Sequence, residues 1–522
     1  MIVPLYNSLF RPKAPGEQAA LLARPQWSGT PGIKGLMVLA VPLVLTNAAV
    51  AVNMFLDRML LSWYSDEAFA AALQSGMLNW TVMVVFFQTI LYVSTFVAQY
   101  TGAKADHRVG PIVWQGIYLS LIGGAILALV APLGYPLFEW IGHEGDLPRL
   151  EAEYFSIMTA GGVVFLINAA LMSFYTGRGK VKLILFVNVW TAILNFCLNV
   201  WMIFTPTWIF PDGIQGAAWA TVFANIAAIG VYGALIWANP ESEVRYRLWS
   251  GRRLETSLLR RLFRFGFPAG VHNFIEMSGV TTFMMVVGLF GFAAQYASNL
   301  AMNLNLVLFI PAIGMHSAAS IRAGQLCGAG EKKLVERMTA GAVLVTGIYM
   351  LAVCYIYIGI PELFLDWFRG SQSPEQWAEL VRMTKILLVF VALFSLFDAF
   401  MLTYGGSLKG AGDTHYVMWL SMLFCIFFLV LPSIAIAMFR DSFPSPEAGL
   451  YTAWAVCSLY IIALAALHAL RFRTGRWKHI DVIHREETVI TLEHIQKLAP
   501  ALEPEDGQDE PIPSTPNAPK QD

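Results

Sequence analysis

The sequence predicts an all-α polytopic membrane protein, with twelve transmembrane helices in two parallel six-helix repeats around a central cavity. Three observations predict it. The 522 residues are 57% hydrophobic and 13% charged, with a mean hydropathy of +0.58, outside the usual balance of a water-soluble chain. The apolar residues fall in runs of about 20, the length that crosses a bilayer core of about 30 Å. Lysine and arginine are sorted by connection, as membrane topology requires.

The runs place spans near 35–62, 77–99, 111–137, 154–176, 182–205, 214–238, 265–290, 296–325, 338–365, 382–405, 415–438 and 447–470. Arg11, Lys13, Arg24 and Lys34 precede the first span, and the next connection holds Asp66 and Glu67 but no base. Bases return at Lys104/Arg108, at Arg178/Lys180/Lys182, in the seven arginines of ESEVRYRLWSGRRLETSLLRRLFR, at Lys332/Lys333/Arg337 and at Arg471/Arg473/Arg476/Lys478. The positive-inside rule then puts both termini in the cytoplasm, with the cell (inner) membrane as the expected location. Prolines 4, 12, 15, 25 and 31 interrupt the first thirty residues, which do not read as a cleaved signal peptide.

On this reading residues 1–34 form a cytoplasmic segment, 35–240 a first bundle, 241–264 a basic linker, 265–471 a second bundle, and 472–522 a cytoplasmic tail. From about 499 the tail is acidic, proline-rich and free of aromatics, a composition expected to be disordered. The two bundles repeat. A shift of 226 residues carries Pro42 onto Pro268, Asn47 onto Asn273, Gln99 onto Gln325 and Gly102-Ala103 onto Gly328-Ala329. A shift of 233 carries Gly177 and Gly179 onto Gly410 and Gly412. An even number of spans per half makes the repeats parallel, about an axis along the membrane normal.

Polar residues recur at helical spacing, which marks faces turned inward. Thr46, Asn53 and Asp57 share a face of the first span; Gln88, Tyr92, Thr95 and Gln99 share one of the second; Asn188, Thr191, Asn195 and Asn199 share one of the fifth; Gln295, Asn299 and Asn303 share one of the eighth. Glu276 lies near the middle of FGFPAGVHNFIEMSGVTTFMMVVGLFGF, with Asn273 and His272 beside it, and Asp398 is midway along the tenth span. An isolated amide serves as interhelical glue at about 0.6 kcal/mol. A carboxylate at bilayer depth costs about 2.5–3.5 kcal/mol, and asparagine would serve a structural role more cheaply. Asp57, Glu276 and Asp398 are therefore expected to carry a proton or to join neighbouring amide oxygens in a site for a small cation. For Asp57 a local ion pair with Arg58 is the alternative, and His272 and His316 are expected to be packed, hydrogen-bonded residues.

Other chemistry finds no support. The sequence contains no GxxxxGK[ST] loop, HExxH or GxSxG, so an enzyme or ATP-driven pump is not expected. The net charge of −1 gives no basic field for nucleic acid. Five cysteines lie within or at the ends of apolar segments without CxxC spacing, as packing residues do. The energy source consistent with buried acids is an ion gradient.

LAVPLVLTNAAVAVNMFLDRMLL resembles the first helix of the multidrug and toxic compound extrusion (MATE) transporters, FGFPAGVHNFIE their seventh, and FDAFMLTYGGSLKGAGDT their tenth with the turn that follows. NFCLN with GIQGAAWAT, and FVAQYTGA with IRAGQLCGAG, extend the resemblance over roughly residues 35 to 470. It implies two six-helix bundles enclosing a V-shaped cavity, as in the NorM-like branch, that export organic cations or amphipathic compounds in exchange for Na⁺ or H⁺. It implies an amino-terminal cation site at Asp57, Asn195 and Asn199, supported by Asn53, and a carboxy-terminal one at Glu276 and Asp398, near Asn273. It calls for no cofactor, no metal beyond Na⁺ at these residues, and a monomer in the bilayer. Three positions depart from the family pattern: Asn199 where some members have aspartate, LSWY at 61–64 where a glycine is common, and Lys409 where arginine is usual. A flippase for a lipid-linked oligosaccharide or related lipid is the second reading. It calls for a cationic cavity and often fourteen spans, against twelve spans and acidic midspan charges here.

Overall fold

A computed structural model describes residues 33–141, 143, 145–205, 213–365 and 374–484. Long apolar stretches must satisfy their backbone internally where no water is available, and among the described residues all regular structure is helical. Twelve long helices result: α1 Ile33–Tyr64, α2 Asp66–Gly102, α3 Asp106–Ile141, α4 Leu147–Gly177, α5 Val181–Phe204, α6 Gly213–Trp237, α7 Thr256–Gly288, α8 Phe292–Ala329, α9 Lys332–Gly359, α10 Pro374–Ala411, α11 Thr414–Met438 and α12 Pro446–Arg473. Eleven are long and apolar enough to cross a membrane on length and composition alone. The twelfth is α7, which contains Arg260, Arg261, Arg264, His272 and Glu276.

Most helices run beyond the ends that hydropathy marks. α2 begins at Asp66 rather than 77 because Ser65 caps it, accepting from the Ala68 amide. α7 begins at Thr256, so the last third of the expected linker 241–264 is helix continuous with the seventh span. The rest of that stretch is folded against α3. Arg245 pairs with Asp106 at 2.6 Å, the Gly110 amide donates to the Tyr246 carbonyl at 2.8 Å, and the Gln115 side chain donates to the Arg253 carbonyl at 3.0 Å. Burial pushes the Arg245 guanidinium down, but Tyr246, Asp106 and Glu241 beside it hold it above its ordinary pKa. The exit of the second half is docked in a similar way: Lys478 pairs with Glu336 at 2.5 Å, while Trp477, Val482 and Ile483 are buried. The disorder expected beyond 499 and the segment 1–32 lie outside the described residues.

The halves meet through α1 against α8, α7 against α2, and α2 against α8. The last contact is reciprocal. Gln99 on α2 donates to the Gly410 carbonyl at 2.9 Å, and its repeat partner Gln325 on α8 donates to the Gly177 carbonyl at 3.0 Å. Gly102 and Gly328 let the backbones approach this closely: a Cβ at Gly102 would sit 1.9 Å from the Gln325 carbonyl oxygen, and one at Gly328 would sit 1.9 Å from that of Gln99. Tyr92 adds a bond to the Lys409 carbonyl at 3.1 Å. The Gln88, Tyr92, Thr95 and Gln99 stripe thus serves largely to join the halves at the end of the helices where the basic connections lie.

Candidate ion-coupling sites

In the first half the acid is held by amides. α1 packs along α5, and α5 along α6, which brings the predicted stripes of α1 and α5 face to face. Asn199 Nδ2 donates to Asp57 Oδ1 at 2.6 Å and to Asn195 Oδ1 at 3.1 Å. Asn53, one turn before Asp57, donates to Asp57 Oδ2 at 3.3 Å. Asn195 in turn donates to Thr221 Oγ1 at 3.3 Å. A carboxylate only accepts, so it draws the amide NH₂ groups toward itself and leaves their carbonyl oxygens turned away. Asn53 Oδ1 and Asn199 Oδ1 are buried without a donor. A buried polar atom left unsatisfied costs about 1–3 kcal/mol, so these oxygens beside a carboxylate are suited to ligate a small hard cation. Arg58 is exposed; it lies within electrostatic reach of Asp57 but makes no direct ion-pair contact with it among the described residues.

The second half holds its acids differently. Glu276 on α7 and Asp398 on α10 are half-buried and lie within electrostatic reach of each other. Tyr460 and Cys457 on α12 lie in the same field. His272 Nε2 is 3.9 Å from Glu276 Oε2. Among the described residues no Lys or Arg pairs with either acid, and Asp398 makes no hydrogen bond. Beside Glu276, α11 widens into a π-helical stretch, Cys425–Val430, with Cys425 Sγ donating to the Ile275 carbonyl at 3.5 Å. Such stretches are frequent at functional sites. Asn273 is not part of this group: its amide accepts from Gln88 of the other half at 3.4 Å and donates to the Ala269 carbonyl at 2.9 Å.

Sequence reasoning identified the acids but missed several companions. Thr221, in the quoted GIQGAAWAT, sits in the register that meets Asn195. Cys457 reads from sequence as a packing residue, and Tyr460, on the same helix, has no acid or amide within a turn of it on α12 to mark its face.

Comparison with known proteins bears on the chain as a whole. The MatE family model matches the chain twice, at residues 42–201 and 268–436, together well over half its length. The two matches begin at Pro42 and Pro268, the residues related by the internal repeat. A Thermotoga maritima protein described as "Probable multidrug resistance protein NorM" is 26% identical over 459 residues, covering 87% of this chain and 95% of that one. "Multidrug resistance protein PmpM" of Pseudomonas aeruginosa is 23% identical over 395 residues, covering 75% and 81%. Among solved structures, a MOP superfamily transporter from Pyrococcus furiosus superposes with a TM-score of 0.76 at 18% identity, covering 87% of this chain and 98% of that one. A MATE family transporter in an outward-facing conformation gives 0.75 at 17%, covering 90% and 100%. With its matched pair of repeats, its helical architecture and its NorM relatives, the chain belongs to the MatE family as a NorM-like member.

Proposed function

We propose that the protein is a secondary active antiporter that exports organic cations or other amphipathic compounds in exchange for Na⁺ or H⁺. The observation that carries this reading is the set of three half-buried acids within long apolar helices, Asp57, Glu276 and Asp398, none in ion-pair contact with a lysine or arginine among the described residues. Uncompensated carboxylates at such depth are retained for a cation that binds and leaves. The names of the curated relatives support a multidrug substrate range.

The cycle alternates between two states. From outside, the coupling cation binds the carboxylates and displaces the substrate; the loaded protein then opens at its basic end, taken as cytoplasmic, releases the cation and takes up new substrate. A ligand shifts such an equilibrium only through its differential affinity for the two states. The reciprocal Gln99 and Gln325 bonds close the basic end here, and they must break for the protein to open inward. The two bundles, 35–240 and 265–471, are the bodies that rock, and the chain works as a monomer in the inner membrane with both termini in the cytoplasm. Acidic rather than basic midspan charges weigh against the lipid-flippase reading.

The test is reconstitution of the purified chain in liposomes, with uptake of a fluorescent organic cation followed under an imposed Na⁺ or proton gradient. Gradient-driven uptake is expected, and the gradient that works names the ion. No uptake under either gradient would overturn the reading.

A further inference from the structure

The linker between the halves covers part of one face of α3. At helical spacing that face carries Trp114, Tyr118, Leu121, Ala125 and Leu129. From Leu121 onward it is apolar and exposed over two turns, as a face turned to lipid is. Nearer the basic end the linker lies over it. The Gly110 amide meets the Tyr246 carbonyl, Trp114 Nε1 donates to the Leu248 carbonyl, and the Tyr118 hydroxyl donates to that of Arg252. The linker therefore climbs about 12 Å along α3 and stops where the exposed apolar face begins. Trp and Tyr concentrate at headgroup level in membrane proteins, which sets the depth of this segment.

What the segment presents is basic and apolar at once. Arg252, Arg253, Arg260 and Arg264 are exposed, and none is in ion-pair contact with an acid among the described residues. The linker's own acids are engaged elsewhere: Glu241 with Arg245 at 3.7 Å, Glu243 with the Trp249 and Ser250 amides at 2.7 and 3.2 Å, and Glu255 with Arg108 at 3.3 Å. Trp249, Leu254, Phe263 and Phe267 are exposed among the arginines. On α7, Arg260, Phe263, Arg264 and Phe267 share one face, with the Phe263 and Phe267 rings stacked at 4.9 Å. Further from the basic end the exposed side chains of α7 turn apolar, at Phe274 and Met277. The exit of the second half differs. There Arg471 pairs with Asp413 and Lys478 with Glu336, and no large hydrophobic side chain from 471 to 484 is exposed.

We infer that Arg252, Arg253, Arg260 and Arg264 bind the phosphates of anionic phospholipids in the leaflet at the basic end, with Trp249, Leu254, Phe263 and Phe267 set against the adjoining acyl chains. A water-facing segment has no use for exposed Trp and Phe between its charges, whereas a lipid surface takes both. The guanidinium fork matches phosphate oxygens, and clustered bases directly outside a spanning helix are what anionic headgroups attract. Arg253 stands three residues before α7 and Arg260 one turn into it, so their Cα atoms lie within about 17 Å of each other. The linker is held on α3 of the first half and runs into α7 of the second. The bound headgroups therefore sit where the halves are joined, whatever compound the protein moves.

The test titrates the full chain in detergent with dioleoyl phosphatidylglycerol or dioleoyl phosphatidylcholine, reads bound lipid by native mass spectrometry, and checks folding by thermal melting. It compares wild type with Arg252→Gln/Arg253→Gln, with that pair extended by Arg260→Gln and Arg264→Gln, and with Arg473→Gln/Arg476→Gln, two exposed bases of the other exit. Wild type is expected to bind the anionic lipid more tightly than the zwitterionic one. The quadruple variant should lose at least about fivefold in affinity for phosphatidylglycerol, the share of one arginine at an anionic surface, while the Arg473/Arg476 variant stays within about twofold of wild type. Phosphatidylcholine binding should not change. Should the quadruple variant fail to fold, the Arg252/Arg253 pair carries the test with the same expected loss, since its contacts to α3 use backbone carbonyls that substitution leaves in place. Equal wild-type affinity for the two lipids overturns the site, as does unchanged phosphatidylglycerol binding in the folded variants or an equal loss in the Arg473/Arg476 variant. Inorganic phosphate that displaces phosphatidylglycerol as effectively as unlabelled lipid overturns the lipid assignment in favour of a soluble phosphate compound.

Discussion

In the first half Asp57 receives two amide bonds, at 2.6 and 3.3 Å, whereas in the second half Asp398 receives none and Glu276 has only His272 Nε2 nearby, at 3.9 Å. The two halves descend from one repeat, and at the inter-half joint they are still nearly interchangeable: Gln99 and Gln325 make the same bond to equivalent glycine carbonyls. Symmetry has persisted where the halves must fit each other and has been lost around the acids. The first acid sits among amide groups, and the second pair has one imidazole nearby. The comparison therefore locates functional divergence in side chains held on a shared backbone.

Breaking the comparison at its acids should have the largest effect. Glu276→Gln and Asp398→Asn are each expected to reduce gradient-driven accumulation of an organic cation in liposomes at least a hundredfold, with folding checked by thermal melting. Asp57→Asn should lower cation affinity at the first half strongly, and Asn199→Ala more mildly, by roughly tenfold, since it removes the unsatisfied amide oxygen Asn199 Oδ1 beside the carboxylate. Isothermal titration with the coupling ion would measure both. The joint comes next. Gln99→Ala and Gln325→Ala each remove a bond of about 1 kcal/mol, so each should raise the population open at the basic end roughly fivefold. Equal effects are expected from the symmetry, read by spin-label distances between the halves. The two docked exits bear on stability and leave transport itself little changed. Arg245→Ala breaks a largely buried pair with side-chain exposures of 11% and 14% and should cost about 2 kcal/mol. Lys478→Ala, in a pair exposed to 32% and 42%, should cost under about 1 kcal/mol. Melting temperatures in detergent would rank them.

The fold was largely legible in the sequence because the bilayer imposes a period and a length that few other environments demand. Span count, repeat and inward faces followed from apolar runs, the 226-residue shift and the spacing of polar residues. Helix ends did not, since hydropathy marks the apolar core of a helix and not the capped turns beyond it, as at Ser65 and Thr256. At the sites, spacing along one helix found Asn53 with Asp57 and Asn195 with Asn199. It could not say that Asn273 turns to Gln88 in the other half, or that His316 and His468, on separate helices, both lie against Gly405 and Gly406. Those are facts of packing between helices, which a one-dimensional period does not encode.

The central claim is that the acids couple substrate movement to an ion gradient rather than hold the helices together. The most direct test measures two rates on the same liposomes containing Glu276→Gln or Asp398→Asn protein: exchange of labelled for unlabelled organic cation without a gradient, and accumulation of that cation with one. The account predicts that exchange persists while accumulation is lost. Variants that still accumulate the cation as wild type does, or that lose both rates together with their thermal stability, would contradict it.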